Sequence, residues 1–223
     1  MPERALGVPR ALLHQIASLI TRRCVDHPFS VAVDGVDAAG KTTLADGIAA
    51  VLQEDNVPVL RASIDGFHHP ASRRYRRLGS DPGRSYYEDS FDHTAIQDEL
   101  LVPFRAGRPV RTAVFDYRTD TAVTVAPIDV PNGCVLVFDG VFLQRPELAP
   151  WWDLVIFLRI DPEVALKRAL ARDRDSMGGD AERRYRERYI PGQEHYLRSG
   201  PETRADVVVD TTGVPFIVRL FSR

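Results

Sequence analysis

Gly35-Val36-Asp37-Ala38-Ala39-Gly40-Lys41-Thr42 spells G-x-x-x-x-G-K-T and directly follows the apolar run Phe29-Ser30-Val31-Ala32-Val33. A run rich in β-branched residues, then a glycine loop, then a helical pattern is the context that a phosphate-binding loop requires. Gly35 and Gly40 let the backbone turn tightly, so that successive N–H groups point at phosphate oxygens. Lys41 then reaches the β/γ-phosphates, and the Thr42 hydroxyl is placed to ligate Mg²⁺. The helix that follows directs its positive end at the same anion. The competing reading is a glycine turn before an ordinary helix, which the strand and helix on either side disfavour. The stretch predicts binding of a nucleoside triphosphate.

Outward from the loop, the apolar positions fall into strands and helices in alternation. Leu44, Ile48, Val51 and Leu52 form one helical face, closed by Asn56-Val57-Pro58, and Val59–Ile64 reads as a strand ending at Asp65. Residues 70–87, rich in Arg, Gly, Pro, Ser and Tyr, predict a long functional loop, and Asp92–Leu101 a helix with Ile96, Leu100 and Leu101 inward. Val110, Thr112 and Val114, then Val123 and Val125, alternate around Arg118-Thr119-Asp120, which predicts a hairpin within 108–128. Cys134–Phe138 and Leu154–Leu158 read as strands buried on both faces, as a parallel sheet requires. Asp161-Pro162 opens a helix through Arg172, a lid without core pattern spans 173–186, and a helix near Arg183–Leu197 leads to a last strand, Ala205–Val209. Ahead of the first strand, Leu12, Leu13, Ile16, Leu19 and Ile20 share a helical face, predicting a docking helix within 1–26. The expectation is one α/β domain over 1–223: a mainly parallel sheet covered on both faces, a hairpin insertion and a helical lid.

Composition narrows the function classes. With 223 residues, 44% hydrophobic content and a net charge of −2, the chain can bury a full core and has no electrostatic footprint for nucleic acid or membrane. No apolar run reaches the length of a membrane span, and the N-terminus lacks the order of a signal peptide. Cys24 and Cys134 are far apart without metal-ligand spacing, so free thiols in a reducing, cytoplasmic setting are expected. The six histidines show no zinc-type spacing.

Ligands of open parallel sheets gather at the carboxyl ends of the strands, where the glycine loop, Asp65 and Asp139 all fall. Asp139 fits the metal-side carboxylate, acting through a water, and Asp65 the general base that faces an acceptor hydroxyl. A turn-forming role in Asp65-Gly66 or Asp139-Gly140 is the bland alternative. Arg168, Arg172 and Arg174 are cations that could close over transferring phosphates, or merely a solvated helix face. Arg73-Arg74-Tyr75-Arg76-Arg77 reads as a solvated or phosphate-facing loop.

Taken together, these residues resemble the P-loop small-molecule kinases that include uridine–cytidine kinase, pantothenate kinase and phosphoribulokinase. The resemblance runs from Phe29 to Val209 through Gly35–Thr43, Ser63-Ile64-Asp65-Gly66-Phe67, Phe91-Asp92-His93, Val114-Phe115-Asp116-Tyr117, Val137-Phe138-Asp139-Gly140, Arg172-Asp173, Tyr185 with Pro191, and Ala205-Asp206. It implies a three-layer P-loop kinase fold and Mg²⁺–ATP-dependent phosphorylation, most closely of the 5′-hydroxyl of uridine or cytidine. It implies ATP binding by Gly35, Val36, Asp37, Ala38, Ala39, Gly40, Lys41, Thr42 and Thr43 with Arg168 and Arg172, and metal binding by Thr42 and Asp139. Asp65 and Lys41 become the catalytic pair, and Phe67, His68, Asp92, Phe115, Arg172 and Arg184 the acceptor-side set.

The pattern of uridine kinases is departed from at named positions. Asp-x-Phe-Tyr becomes Asp65-Gly66-Phe67-His68, the base-facing tyrosine becomes Phe115, and the base-reading histidine becomes Asp120. The ribose-contacting glutamine becomes Arg184, and Phe-Asp-His-Pro becomes Phe91-Asp92-His93-Thr94. Asp65-Gly66-Phe67 with Pro70 also resembles pantothenate kinase, so pantothenate or a sugar or sugar phosphate is the alternative acceptor. A nucleotide-dependent switch or NTPase with a protein partner is the alternative class. Assembly into a homo-oligomer is left open.

Overall fold

The computed structural model describes residues 7–24 and 27–221; residues 1–6 and 25–26 of the expected docking segment lie outside the described residues. Helix α1 (Arg10–Arg23) is followed by strand β1 (Phe29–Gly35), the glycine loop, and helix α2 (Lys41–Glu54). Strand β2 (Val59–Ser63) runs into a 3₁₀ turn, Ile64–Phe67. Short helices α3 (Ala71–Arg74), α4 (Pro82–Asp89), α5 (His93–Ile96) and α6 (Val102–Arg105) precede a small hairpin of β3 (Phe115–Asp116) and β4 (Thr121–Ala122). Then come β5 (Val135–Gly140), β6 (Leu154–Arg159), α7 (Pro162–Met177), α8 (Ala181–Arg184), α9 (Ile190–Leu197), α10 (Pro201–Arg204), β7 (Val207–Asp210) and β8 (Phe216–Leu220).

Alternation along the apolar strands decides the layers. Val31 and Val33 of β1, Val135 and Val137 of β5, and Leu154 and Ile156 of β6 pack with Ile16, Ile20, Leu44 and Ile48 of α1 and α2. Their neighbours Ala32, Leu136, Phe138 and Phe157 pack on the other face with Phe67, Leu100, Phe104, Phe142 and Tyr196. Strands buried on both faces require helices on both, and the expected three-layer α/β architecture is found. Among the described residues the main sheet has the order β2-β5-β1-β6-β7-β8, parallel except for β8. β1 lies between β5 and β6, in register Val33↔Asp139 and Gly35↔Leu158. The glycine loop and Asp139 are therefore brought to one edge by adjacent parallel strands.

Several local expectations are corrected. Residues 70–87 are not one loop: Pro70 precedes α3, and Asp81 caps α4 by accepting from Arg84 N, with Pro82 at its first turn. The arginine cluster is only partly solvated: Arg73 and Arg76 stay exposed. Arg74 is buried and bonds Asp120, while Arg76 and Arg77 pair with Asp89 and Glu88. The helix over 92–101 is split by a π turn at Gln97–Leu101, and a second π turn, Tyr185–Tyr189, joins α8 to α9. Helix α7 runs on to Met177, into the segment read as a lid. The hairpin is shorter than predicted, with an outlying bridge between Val110 and Ile128. Strand β8 was not anticipated, because its apolar residues alternate outward: Phe216, Val218 and Leu220 are exposed and Ile217 packs inward. No helix among the described residues is long and apolar enough to cross a membrane.

The loop's geometry yields a first prediction. Gly40 has φ +89° and open space around its Cα, so only the backbone conformation demands glycine there. Gly40→Ala is expected to lower the unfolding free energy by about 1–2 kcal/mol in a urea titration; an unchanged midpoint would contradict this.

Candidate active site

The loop wraps the N-terminus of α2. At Gly35 a Cβ would meet the Leu158 carbonyl at 2.9 Å, so the tight passage against β6 excludes a side chain. Lys41 Nζ donates to the Val36 carbonyl at 2.7 Å, across the mouth of the loop. Thr42 Oγ1 donates to Asp139 Oδ2 at 2.6 Å, which puts two hard oxygens side by side. Asp139 Oδ1 receives Arg61 Nη2 at 2.8 Å, and Arg61 is itself held by Asp46 and the Val137 carbonyl. Burial pushes the Lys41 ammonium down from its ordinary value, against the charges of Asp37, Asp34, Asp139 and Asp65.

Asp65 stands at the end of β2, in the 3₁₀ turn capped by Ser63, with its carboxylate 61% exposed. His68 Nε2 lies 3.5 Å from Asp65 Oδ1. The imidazole is wedged between Phe91 and Tyr117, at centroid distances of 4.5 and 4.8 Å, and its Nδ1 donates to the Ser90 carbonyl at 3.1 Å. Desolvation pushes the Asp65 carboxyl up, but the His68 contact and the charges of His68, Lys41 and Arg118 outweigh it, leaving it below its ordinary value.

Arg172 forks onto Asp173 at 2.7 and 2.9 Å and donates to the Tyr185 hydroxyl at 3.0 Å. Its charge reaches Asp37. The Asp173 carboxyl is pushed up by desolvation, yet it lies below its ordinary value because Arg172 and Tyr185 bond to it.

Other expected residues fall elsewhere. Phe67 is fully buried beside Phe138, because the 3₁₀ turn directs its ring into the core rather than the cleft. Asp92 caps α5 by accepting from Ala95 N, with its other oxygen 3.5 Å from His69 Nδ1. Phe115 is buried in the hairpin, next to the backbone bond from Val114 N to the Gly66 carbonyl. Asp120, at φ +54°, accepts from Ala71 N and Arg74, so it ties the hairpin tip to α3. Arg168 donates to the Thr211 and Thr212 carbonyls, and Arg184 lines a separate cavity beside Tyr75. Thr43, by contrast, stays with the loop, exposed in the first turn of α2 beside Thr42.

Two supports of the loop escaped the sequence. Gln193 of α9 grips Asp37 at both ends: its Oε1 accepts from Asp37 N at 2.9 Å and its Nε2 donates to Asp37 Oδ2 at 2.8 Å, while Tyr86 OH also points at that carboxylate. Asp34, fully buried beneath the loop, accepts from Gly35 N at 2.8 Å, Gln144 Nε2 at 3.0 Å and the Tyr196 hydroxyl. Burial pushes the Asp34 carboxyl up despite these donors. An aspartate at the end of Val31-Ala32-Val33 was the available signal for Asp34; nothing local marked Gln193.

The arrangement can hold a polyphosphate by loop amides and Lys41, offer Thr42 and Asp139 to a divalent cation, and present Asp65 as an ionised base at the same strand edge. Among the described residues no group of three or more His, Cys, Asp or Glu could hold a metal.

The sequence profile of the phosphoribulokinase / uridine kinase family matches residues 30–214. Uridine-cytidine kinase B of Dictyostelium discoideum is 25% identical over 189 residues, 82% of this chain and 74% of that protein. Uridine kinase-like protein 5 of Arabidopsis thaliana is 25% identical over 196 residues, and the match spans 83% of this chain but only 40% of that longer protein. A structure from Bacillus stearothermophilus, described as a possible uridine kinase, superposes with a TM-score of 0.71 at 24% identity, covering 89% of this chain and 97% of its own.

Proposed function

This chain belongs to the phosphoribulokinase / uridine kinase family, and on that premise we propose that it transfers the γ-phosphoryl group of ATP to a hydroxyl of a small molecule. The 5′-hydroxyl of uridine or cytidine is the leading acceptor. The observation that carries the reading is the placement of Asp65: an exposed carboxylate kept below its ordinary value, within electrostatic reach of Lys41. A base that takes an acceptor's hydroxyl proton is dispensable for a switch or an NTPase, which has no acceptor.

In this reading the loop amides from Gly35 to Thr43 and the Lys41 ammonium bind the β- and γ-phosphates. Mg²⁺, when bound, would neutralise charge on the phosphates. Thr42 and Asp139 would hold it, with Asp139 kept in orientation by Arg61. Asp65 accepts the acceptor's hydroxyl proton as the bond from the acceptor oxygen to the γ-phosphorus forms and the γ-phosphorus bond to the β,γ-bridging oxygen breaks, releasing ADP, while Arg172 sets positive charge near the transferring group. His68, steadied by Phe91 and Tyr117, fixes Asp65 in its ionised form. The segment 173–186 is the lid that excludes water, and ATP and the acceptor are the partners.

The acceptor is tested by ADP release with Mg²⁺–ATP over uridine, cytidine, pantothenate and a set of sugars and sugar phosphates. Turnover with uridine or cytidine is expected to exceed the no-acceptor background. Preference for pantothenate or a sugar would reassign the acceptor, and background with every compound would overturn the kinase reading.

The pH dependence follows in sign. A base acts only when ionised, so kcat/KM is retained as pH falls until Asp65 protonates, below its ordinary value of 3.8. His68→Ala removes the contact that lowers it, so the acid limb moves to higher pH while near-UV circular dichroism reports the fold. An unmoved limb would contradict this role for His68.

A further inference from the structure

We propose that the cavity between the α3–α4 connection and helix α8 binds the anionic group, a phosphate or a carboxylate, of a small molecule. The cavity measures about 330 Å³ and is lined by Tyr75, Arg183, Arg184, Glu187, Arg188 and Tyr189, among others. Arg188 is 4% exposed, yet among the described residues it makes no ion pair. Its guanidinium donates to the Arg74 carbonyl at 3.0 Å, the Ser90 hydroxyl at 3.3 Å and the Pro82 carbonyl at 3.5 Å, and its Nε has no partner. The faces of Tyr75, Tyr86 and Tyr189 surround it at 4.6, 5.5 and 5.9 Å.

A buried cation compensated only by neutral groups is costly, and a charge-assisted contact with an anion offsets that cost. Arg184, four residues earlier on the same side of the helical turn, also makes no ion pair or hydrogen bond among the described residues. The lining carboxylate, Glu187, is taken up by Arg183 at 3.3 Å, and Arg183 also holds Asp180. Three guanidinium groups against one carboxylate leave the cavity with an excess of positive charge.

The cavity shares a wall with the phosphoryl site. Tyr189 packs on Tyr86 at 4.9 Å and on Tyr185 at 5.0 Å; Tyr86 bonds Asp37, and Tyr185 bonds Asp173. The anion is thus either part of the acceptor or carried by a separate small molecule that acts on the site. Only this second question rests on the kinase reading.

Calorimetry decides the binding. The chain is saturated with Mg²⁺ and a non-hydrolysable ATP analogue, so that the glycine loop is filled, and then titrated with inorganic phosphate. One phosphate per chain is expected, weakening with added salt and at least tenfold weaker in the surface variant Arg184→Gln. Absence of phosphate heat in the wild type, or equal affinity in Arg184→Gln, would overturn the proposal. Arg188→Met, checked for folding by circular dichroism, is expected to lose the site as well. In turnover assays, phosphate competing with the acceptor assigns the cavity to the acceptor's own anionic group, and a change in kcat without competition assigns it to a separate effector. If no acceptor is turned over, the kinase reading falls and the calorimetric result still stands on its own.

Discussion

Asp65→Asn is expected to reduce acceptor-dependent phosphorylation by about 10²–10⁴-fold, the usual contribution of a positioned general base. The substitution keeps the size of the side chain and the Ser63 cap, whose hydroxyl accepts from the Asp65 backbone N–H rather than from its carboxylate. It removes the negative charge facing His68 and Lys41. ATP affinity, measured by calorimetry with Mg²⁺ present, is expected to hold or to tighten, because one carboxylate fewer repels the phosphates. Equal turnover in the variant would show that Asp65 is not the base and would favour a nucleotide switch. Loss of ATP binding alongside turnover would show that the residue shapes the loop instead.

Lys41→Ala is the second large effect. The ammonium sits among Asp34, Asp37, Asp65 and Asp139, and its hydrogen bond to the Val36 carbonyl holds it across the loop. Without it, the phosphates would meet those carboxylates with only Arg172 and the loop amides in compensation. Removing a preorganised donor of this kind costs about 10²–10³-fold in kcat, and here ATP affinity is expected to fall as well. Retained ATP binding with retained turnover would contradict the placement of the phosphates at this loop.

What the sequence made legible was local. Gly35, Gly40, Lys41 and Thr42 lie within eight residues, so spacing alone described the loop they form. Asp65 and Asp139 were legible because parallel strands line up their carboxyl ends, and the register between β1 and β5 brings Asp139 to Thr42. The three-layer fold was legible from strands apolar on both faces. What depended on partners distant in sequence was not. Gln193 reaches Asp37 across 156 residues, and Tyr196 reaches Asp34 across 162. The pairing of Arg74, Arg76 and Arg77 was not legible because their carboxylates, Asp120, Asp89 and Glu88, follow only after further turns. Phe67 read as an acceptor contact because a motif gives an order of residues, whereas the 3₁₀ turn decides which of them points inward.

The transfer itself is tested most directly by following the γ-phosphoryl group. With γ-labelled ATP, Mg²⁺ and uridine or cytidine, the label is predicted to appear as a phosphomonoester on the acceptor, in step with ADP and absent with Asp65→Asn. Label released only as inorganic phosphate, at a rate indifferent to every acceptor in the panel and to Asp65, would contradict a kinase.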